Sequence, residues 1–154
     1  MIDAISYKVL KELRKDSRLS VREIAGRVNV TSTTVHRKIK QMVKNKVIKR
    51  FTIDFDWAAI ERTTTAYIMV SLDHRMAKNR KQPLDFIVDK FKKHPMVLDC
   101  ATITGSRDMM IKIKAKNTEE MHHFVNYVRT FEEVVQTETH VGLYESKELD
   151  NVFG

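Results

Sequence analysis

The sequence has little of what builds disulfide scaffolds, metal sites or membrane spans. Of its 154 residues, one is Cys, four are Gly and two are Pro. The lone Cys100 excludes an internal disulfide and a CxxC redox or zinc motif, so we expect a small buried apolar residue. The apolar runs are only a few residues long, whereas a membrane helix needs roughly 20. The N-terminus also lacks a basic stretch followed by an apolar one, so we expect no signal peptide, no membrane partner and a cytoplasmic location.

Motifs of catalysis are missing as well. The sequence has no HExxH, no GxSxG and no glycine-rich phosphate loop. His122 and His123 are adjacent, and adjacent helical side chains point about 100° apart, which makes a shared metal ion difficult. We therefore predict that the protein is not an enzyme and has neither a metal site nor a cofactor.

The excess positive charge lies in the first part of the chain. Residues 1–60 contain 14 Lys and Arg against 6 Asp and Glu, which accounts for the whole net charge of +8. Residues 61–154 contain 14 of each and are neutral. A basic module joined to a neutral one indicates a part that binds a polyanion and a part with another task.

The first 50 residues contain three short helical patterns. Ser20 and Glu23 fit a capping box that begins a second helix, and Asn29 tolerates the left-handed backbone that ends one. Thr31 is expected to be the N-cap of a third helix. Two short helices with so tight a turn between them are typical of a helix-turn-helix motif. The predicted core residues are, helix by helix, Ile2, Ile5, Val9, Leu10 and Leu13; Ile24, Ala25 and Val28; Val35, Ile39 and Met42.

The outer surface of the third helix predicts a contact with double-stranded DNA. No acidic residue occurs between positions 23 and 54, whereas a solvated surface normally mixes charges of both signs. The first turn of a recognition helix approaches base edges, and other cations contact phosphates. His36 either bonds to a base or phosphate or packs at the edge. The other candidates are Ser32, Thr33 and Arg37 for bases, Thr34 beside them, and Arg22, Lys38, Lys40 and Lys44 for phosphates.

The neutral part alternates between strand and helix patterns. Residues 47–55, with Phe51, Ile53 and Phe55 alternating, predict a strand that leaves the DNA-binding module. Further strands are predicted at 65–72, 98–104, 109–115 and 135–141. Pro83 and either Asn117 or Thr118 begin the two helices, the first with Leu84, Ile87, Val88 and Phe91 inside.

This order of strand, helix, strand, strand, helix, strand is that of the split βαβ, ferredoxin-like folds. The predicted class is therefore α+β. A three-helix, winged-type helix-turn-helix domain (1–50) is joined by a strand and linker (51–64) to a ferredoxin-like βαββαβ domain (65–154). Helices on one sheet face leave the other face uncovered, so we expect a homodimer that presents two DNA-binding modules to two half-sites.

Several segments resemble the Lrp/AsnC family, the feast/famine regulators of bacteria and archaea. The resemblance covers nearly the whole chain and implies a transcriptional regulator associated with the nucleoid. It also implies dimers, often assembled into an octamer of four dimers, whose RAM domains bind amino acids in clefts between dimers. The segments are residues 2–10, 16–20, 23–25, 31–35, 37–39, 47–48 and 105–108, the last being similar to the Gly-x-x-Asp turn of the RAM domain.

The resemblance also implies roles in the second domain. Gly105 would supply the tight turn and its N–H groups, and Asp108 would accept from the ammonium group of an effector. Thr137 and Thr139 would line the same cleft. Ser106 and Arg107 complete the turn, and Arg107 either binds a ligand carboxylate or closes the site with an internal ion pair.

The sequence departs from the family pattern at three positions. Lys46 replaces the usual glycine before Val47, so we expect the end of the third helix to shift by one residue. Asn29 replaces a glycine in the helix-turn-helix turn, and Ser6 replaces an acidic residue in the first helix. None of these changes removes a DNA-reading group.

Two functions fit these patterns. The first is a sequence-specific DNA-binding regulator that is modulated by an amino-acid effector. The second is an effector-independent or architectural DNA-binding protein with weak sequence preference. Discrimination between operator and random DNA at physiological salt separates them.

Overall fold

The computed structural model describes residues 2–54, 56–73, 75 and 83–143, with the side chains of 83–85 left out. The described residues up to 54 belong to one compact unit and those from 56 to a second. None of the described helices is both long and apolar enough to cross a bilayer. The elements are α1 Ala4–Lys15, α2 Val21–Val28, α3 Ser32–Lys44, β1 Thr64–Leu72, α4 Pro83–Lys92, β2 Val97–Thr102, β3 Met109–Ala115, α5 Thr118–Arg129 and β4 Val134–Gly142.

Side-chain caps fix where the three helices of the first unit begin. The Asp3 carboxylate accepts from the Ser6 N–H at 2.8 Å, and Thr31 Oγ1 accepts from the Thr34 N–H at 3.2 Å. The predicted capping box is confirmed, because Ser20 Oγ accepts from the Glu23 N–H and Glu23 accepts from the Ser20 N–H. Each cap satisfies backbone N–H groups that a helix start leaves without partners.

Two left-handed residues end α2 and α3. Asn29 has φ 56°, as predicted, and the N–H of the next residue, Val30, donates to the Ala25 carbonyl at 3.1 Å. The expected shift at the end of α3 is wrong, because Lys46 itself takes the left-handed conformation with φ 57°. The Val47 N–H donates to the Met42 carbonyl at 2.9 Å, which closes a Schellman motif without a glycine.

The core of the first unit differs from the prediction in α1. Ser6 is buried, whereas Ile2 and Ile5 are 41% and 36% exposed. Because Asp3 is the N-cap, Ile2 precedes the helix and Ile5 lies at the edge of the face that points inward. The buried core of the first unit consists of Val9, Leu13, Ile24, Ala25, Val28, Val35 and Met42. Leu10 and Ile39 are partly buried and pack against this core.

The predicted strand at 47–55 is not formed. Residues 47–54 have no strand, position 55 lies outside the described residues, and Phe51 and Ile53 are 54% and 73% exposed. A strand needs a hydrogen-bonded neighbour, and the described part of this single chain offers none to this segment. Residues 57–61 instead form turns, and the Arg62 N–H that follows them donates to the Trp57 carbonyl at 2.8 Å.

The second unit is a four-stranded antiparallel sheet with the strand order β2-β3-β1-β4. The predicted βαββαβ order is confirmed, with strand ends that move by one or two residues. Both helices pack on one face of this sheet. The core between them contains Ala66, Ile68, Val70 and Leu72 of β1, Met109, Ile111, Ile113 and Ala115 of β3, Cys100 of β2, Ile87, Val88 and Phe91 of α4, and Phe124, Val125 and Val128 of α5.

Two details complete this core. Cys100 is buried, as expected, and burial raises the pKa of its thiol to about 11. The side chain of Leu84, also predicted to lie inside, is outside the described residues.

The open sheet face, opposite the helices, carries Tyr67, Met69 and Ser71 of β1, Met110 and Lys112 of β3, and Gln136, Glu138 and His140 of β4.

Candidate nucleic-acid interface and effector turn

The outer face of α3 carries a stripe of long polar side chains. Arg37, Lys40, Gln41 and Lys44 line one shallow cleft along this face. Their spacing of three, one and three residues places them on one side of a helix, away from the buried Val35 and Met42. We call these four residues the α3 stripe.

Carboxylates of the first unit are occupied elsewhere. Glu12 accepts from Arg27 at 3.1 Å and from Lys15 at 3.2 Å, and these bonds lower the pKa of its carboxyl group. The hydroxyl and N–H of Ser20 likewise lower the pKa of Glu23. The cations of the α3 stripe are therefore not neutralised by these acids and present a positive surface to solvent.

Lys38 does not share this surface. Its ammonium group forms an ion pair with Asp3, the N-cap of α1, and its side chain is only 14% exposed. This ion pair, together with the Ser6 N–H, lowers the pKa of the Asp3 carboxyl group. Lys38 thus joins α3 to the start of α1.

The other predicted DNA-binding residues fall into two groups. Thr33, His36 and Arg22 are exposed, the last in the first turn of α2, and Ser32 is exposed in the first turn of α3. The Thr34 hydroxyl lies 2.9 Å from the hydroxyl of the Thr31 cap, which makes it part of the helix start. Gln41 has no role in the sequence-based prediction, although its i+4 spacing from Arg37 signals its place.

The turn between β2 and β3 is held against β1. Gly105 has φ 122°, a conformation that side chains rarely adopt. Asp108 donates its N–H to the Val70 carbonyl at 3.0 Å, and its carboxylate accepts from the Leu72 N–H at 2.8 Å. The Asp108 carboxylate thus secures the end of the hairpin to the central strand.

Arg107 forms an internal ion pair across the open sheet face. Its Nη2 lies 2.7 Å from the Glu138 carboxylate, which lowers the pKa of Glu138. Its Nη1 donates to Ser71 Oγ and to Gln136 Oε1, each at 3.4 Å. Its Nε is buried without a hydrogen-bond partner among the described residues. Two roles were predicted for Arg107, binding a ligand carboxylate or forming an internal ion pair. The structure has the internal ion pair, with Glu138.

The six candidate effector residues do not meet in one place within the chain. Thr137 and Thr139 pair with Val70 and Ile68 and therefore share the helix-covered side of the sheet, whereas Arg107 lies on the open face.

The Arg129 Nε–H donates to Thr137 Oγ1 at 2.8 Å. A cleft of about 350 Å³ opens here, the Arg129 cleft, lined by Arg129, Val134, Val135, Gln136 and Thr137. Sequence reasoning gave no role to Arg129 or Gln136.

Histidines and acids do not gather into a metal site in the described parts of the chain. His122 bonds to Asn126 at 3.1 Å, and His123 faces Glu119 at 3.9 Å. The two adjacent histidines are thus engaged with separate neighbours along α5.

Comparisons with known proteins agree with this geometry. Residues 65–152 match the model of the Lrp/AsnC ligand binding domain, and residues 2–49 match that of a winged helix-turn-helix DNA-binding domain. The chain is 30% identical to the HTH-type transcriptional regulator FL11 of Pyrococcus furiosus, over 96% of this chain and 93% of that protein. It is 34% identical to an uncharacterized HTH-type transcriptional regulator of Pyrococcus horikoshii, over 96% and 95%.

Solved structures share the fold. LrpC of B. subtilis superposes with a TM-score of 0.82 at 24% identity, over 97% of this chain and 99% of LrpC. The complex of the regulator NMB0573 with L-Met, from Neisseria meningitidis, has a TM-score of 0.83 at 22% identity, over 96% and 94%. With a matching domain model over most of the second unit and relatives of this similarity, the chain belongs to the Lrp/AsnC family of transcriptional regulators.

Proposed function

We propose that this regulator binds specific DNA sequences through α3 and responds to a small amino-acid effector held by its second unit. The observation that carries the proposal is the α3 stripe, a row of cations and one amide on a rigidly capped helix. Such a helix, in a helix-turn-helix, enters the major groove.

The side chains of this surface divide by chemistry. Arg37 and Gln41 carry flat groups with two parallel bonding atoms, which suit the edges of guanine and adenine. Ser32 and Thr33 in the first turn are further candidates for base contacts, and His36 for a base or a phosphate. We assign three further cations to phosphates. The ammonium groups of Lys40 and Lys44 are point charges, and Arg22 lies on the other helix of the motif, α2. We assign Lys38 to positioning α3, because Asp3 already binds its ammonium group.

The effector half of the proposal rests on the second unit. Residues 65–152 match the model of a ligand binding domain. NMB0573, which shares the fold, was solved as a complex with L-Met. The Gly105–Asp108 turn and the Arg129 cleft lie at the same end of the sheet, since Asp108 contacts Leu72 and Gln136 pairs with Ser71. We propose that this end of the sheet holds the effector.

A dimer formed through the open sheet face is part of the same proposal. This face combines half-buried apolar side chains, such as Met69 and Met110, with the ion pair of Arg107 and Glu138. A second copy would cover these groups and bring two α3 helices to two half-sites. Assembly of four dimers into an octamer is the further expectation that family membership suggests.

Selection of a binding site from random DNA tests the proposal. The full-length protein is used to enrich a site, and its affinity for that site and for random DNA is compared at physiological salt. A regulator should prefer its site by roughly a thousandfold or more. Nearly equal affinities would instead favour the architectural alternative, which the cationic surface also fits.

A further inference from the structure

We propose that protonation of His94 loosens the attachment of residues 57–62 to the sheet of the second unit. We call these residues the linker turn, because the chain enters the second unit there. The neutral imidazole of His94 supports a series of hydrogen bonds that ends at this turn. The inference involves neither DNA nor an effector, so it goes beyond the proposed function and does not depend on it.

His94 lies between the end of α4 and the start of β2, against two aromatic rings of α5. Its ring packs edge-on against Phe124 with 4.7 Å between the ring centroids, and it lies 5.4 Å from the ring of Tyr127. Phe124 is fully buried and His94 is half-buried. This burial lowers the pKa of His94 below its ordinary value of about 6.5, because a charged imidazole loses hydration here. His94 is therefore neutral at pH 7.

The neutral form of His94 has a specific bonding role. Its Nδ1 accepts from the Met96 N–H at 3.3 Å, which requires a lone pair on that nitrogen. In the protonated ring both nitrogens are donors, so Nδ1 no longer accepts from Met96. Met96 is only 5% exposed, so water does not readily replace the lost acceptor. Protonation therefore removes this bond and leaves a buried N–H without its partner.

Backbone hydrogen bonds connect Met96 to the linker turn. The Met96 carbonyl accepts from the Lys114 N–H at 3.0 Å. The Lys114 carbonyl accepts from Arg62 Nη1 at 2.9 Å. The Arg62 N–H in turn donates to the Trp57 carbonyl at 2.8 Å and closes the turn. Loss of the bond at His94 thus loosens the end of β3 to which Arg62 is attached.

Charged groups make the protonation of His94 act on Arg62 directly as well. Glu120 on α5 favours the charged form of His94, whereas Arg62 opposes it. Arg62 Nη1 lies 3.9 Å from the Glu120 carboxylate. A cationic His94 would compete with Arg62 for this carboxylate and repel its guanidinium group. Other titratable groups on the adjoining segments are Lys90 and Lys93, Lys114 and Lys116, and Glu119, His123 and Tyr127 of α5.

The fluorescence of the one tryptophan, Trp57, tests the proposal, because this residue belongs to the linker turn. Its ring lies 5.9 Å from the Lys114 ammonium group, so loosening of the turn changes its surroundings. The full-length protein is titrated from about pH 8 to about pH 5, the range in which histidine changes its charge. We expect one sigmoidal change with a midpoint below about pH 6.5, while far-ultraviolet circular dichroism stays constant. A constant fluorescence, or a change that coincides with loss of the helical signal, overturns the proposal.

Two histidine variants identify the group that titrates. His94→Asn has no proton to gain in this range, and its Oδ1 replaces Nδ1 as the acceptor for the Met96 N–H. It should therefore keep the fluorescence of the neutral form at every pH. His140→Asn removes an exposed histidine of the same unit and should keep the transition. A transition that persists in His94→Asn, or one that is lost in His140→Asn, overturns the assignment.

Arginine variants test the series of bonds without any change at His94. Arg62→Gln removes the bond to the Lys114 carbonyl, so its fluorescence at neutral pH should already resemble that of the acidic unsubstituted protein. Arg75→Gln, whose arginine is 88% exposed in the same unit, should behave like the unsubstituted protein. An unaltered transition in Arg62→Gln overturns the role of this series.

Amide hydrogen exchange, measured by nuclear magnetic resonance, follows the individual bonds. At about pH 5.5, the N–H groups of Met96 and Lys114 should exchange about tenfold faster in the unsubstituted protein than in His94→Asn. Comparison at one pH cancels the intrinsic effect of pH on exchange. At about pH 7.5, where His94 is neutral, the two proteins should agree. Equal exchange at the lower pH would show that protonation of His94 does not weaken these bonds and would overturn the proposal.

Discussion

Replacing Lys46 by glycine should stabilise the DNA-binding unit. Lys46 closes the end of α3 in a left-handed conformation, φ 57°, that brings a Cβ atom close to the following carbonyl. Relief of that contact favours glycine by about 1–2 kcal/mol. The greater freedom of glycine in the unfolded chain opposes this by about 0.5–1 kcal/mol. With the middle of each range, the net gain in the free energy of unfolding is about 0.75 kcal/mol.

The gain is measured by urea denaturation. Far-ultraviolet circular dichroism follows the helices of both units, whereas the fluorescence of the one tryptophan, Trp57, reports on the second unit. A shift that is seen by circular dichroism but not by fluorescence therefore belongs to the first unit. With a slope of about 1 kcal/mol per molar urea for a small domain, the midpoint should rise by about 0.5–1 M. The fluorescence transition should stay in place.

Two control variants separate backbone strain from charge. Lys46→Ala removes the ammonium group but keeps the Cβ atom, so its midpoint should not rise. Asn29→Gly, at the other left-handed position, should gain less, because asparagine tolerates this conformation. A rise in Lys46→Ala equal to that in Lys46→Gly, or no rise in the latter, would refute the strain argument.

Three further outcomes follow from named contacts. Lys40→Ala should weaken binding to cognate and random DNA alike and reduce the slope of log affinity against log salt by about one, and an unchanged slope would remove Lys40 from the phosphate contacts. Because the pKa of Asp3 is lowered by Lys38, its ion pair stabilises the fold above about pH 4, the ordinary carboxyl range, and the stability is lost as pH falls. When the free energy of unfolding is measured as pH is lowered, Asp3→Asn should lose less stability than the unsubstituted protein. Identical curves for the two proteins would contradict this role of the ion pair. Asp108→Ala should lower the free energy of unfolding by about 1–3 kcal/mol, because the Leu72 N–H loses its acceptor, and Asp108→Asn should lose less in the same urea assay.

Local chemistry made much of the fold predictable. The capping box of Ser20 and Glu23 and the left-handed Asn29 are decided by neighbours in sequence, and both are in place. The alternation of Met109, Ile111 and Ile113 likewise identified a strand with one buried side, because successive strand residues point to opposite faces. The order of these elements was then enough to give the sheet its topology.

Features that depend on a distant partner were harder to predict. The pattern of Phe51 and Ile53 is that of a strand, but pattern alone does not supply the neighbouring strand that a ladder requires. Ile5 fits an apolar stripe by spacing, whereas the cap at Asp3 and the docking of α1 decide which side turns inward.

The candidate site divides in the same way. The spacing of Arg37 and Lys40 on one helix face could be derived from helix geometry. The ion pair between Lys38 and Asp3 could not be predicted, because the two residues are 35 positions apart in sequence. Nothing in the local sequence distinguishes Lys38 from the other lysines of α3. For Arg107 the sequence leaves two roles open, and its ion pair with Glu138 could not be predicted because the two residues are 31 positions apart and only the fold brings them together.

The most direct test of DNA reading by α3 is the affinity of Arg37→Ala for the selected site relative to random DNA, measured at one salt concentration with Lys40→Ala in parallel. A base contact by Arg37 predicts that the substitution costs about 1–3 kcal/mol more on the selected site than on random DNA. Lys40→Ala should lose affinity for both DNAs equally. An equal loss for both DNAs in Arg37→Ala would contradict sequence reading by this residue of the α3 stripe.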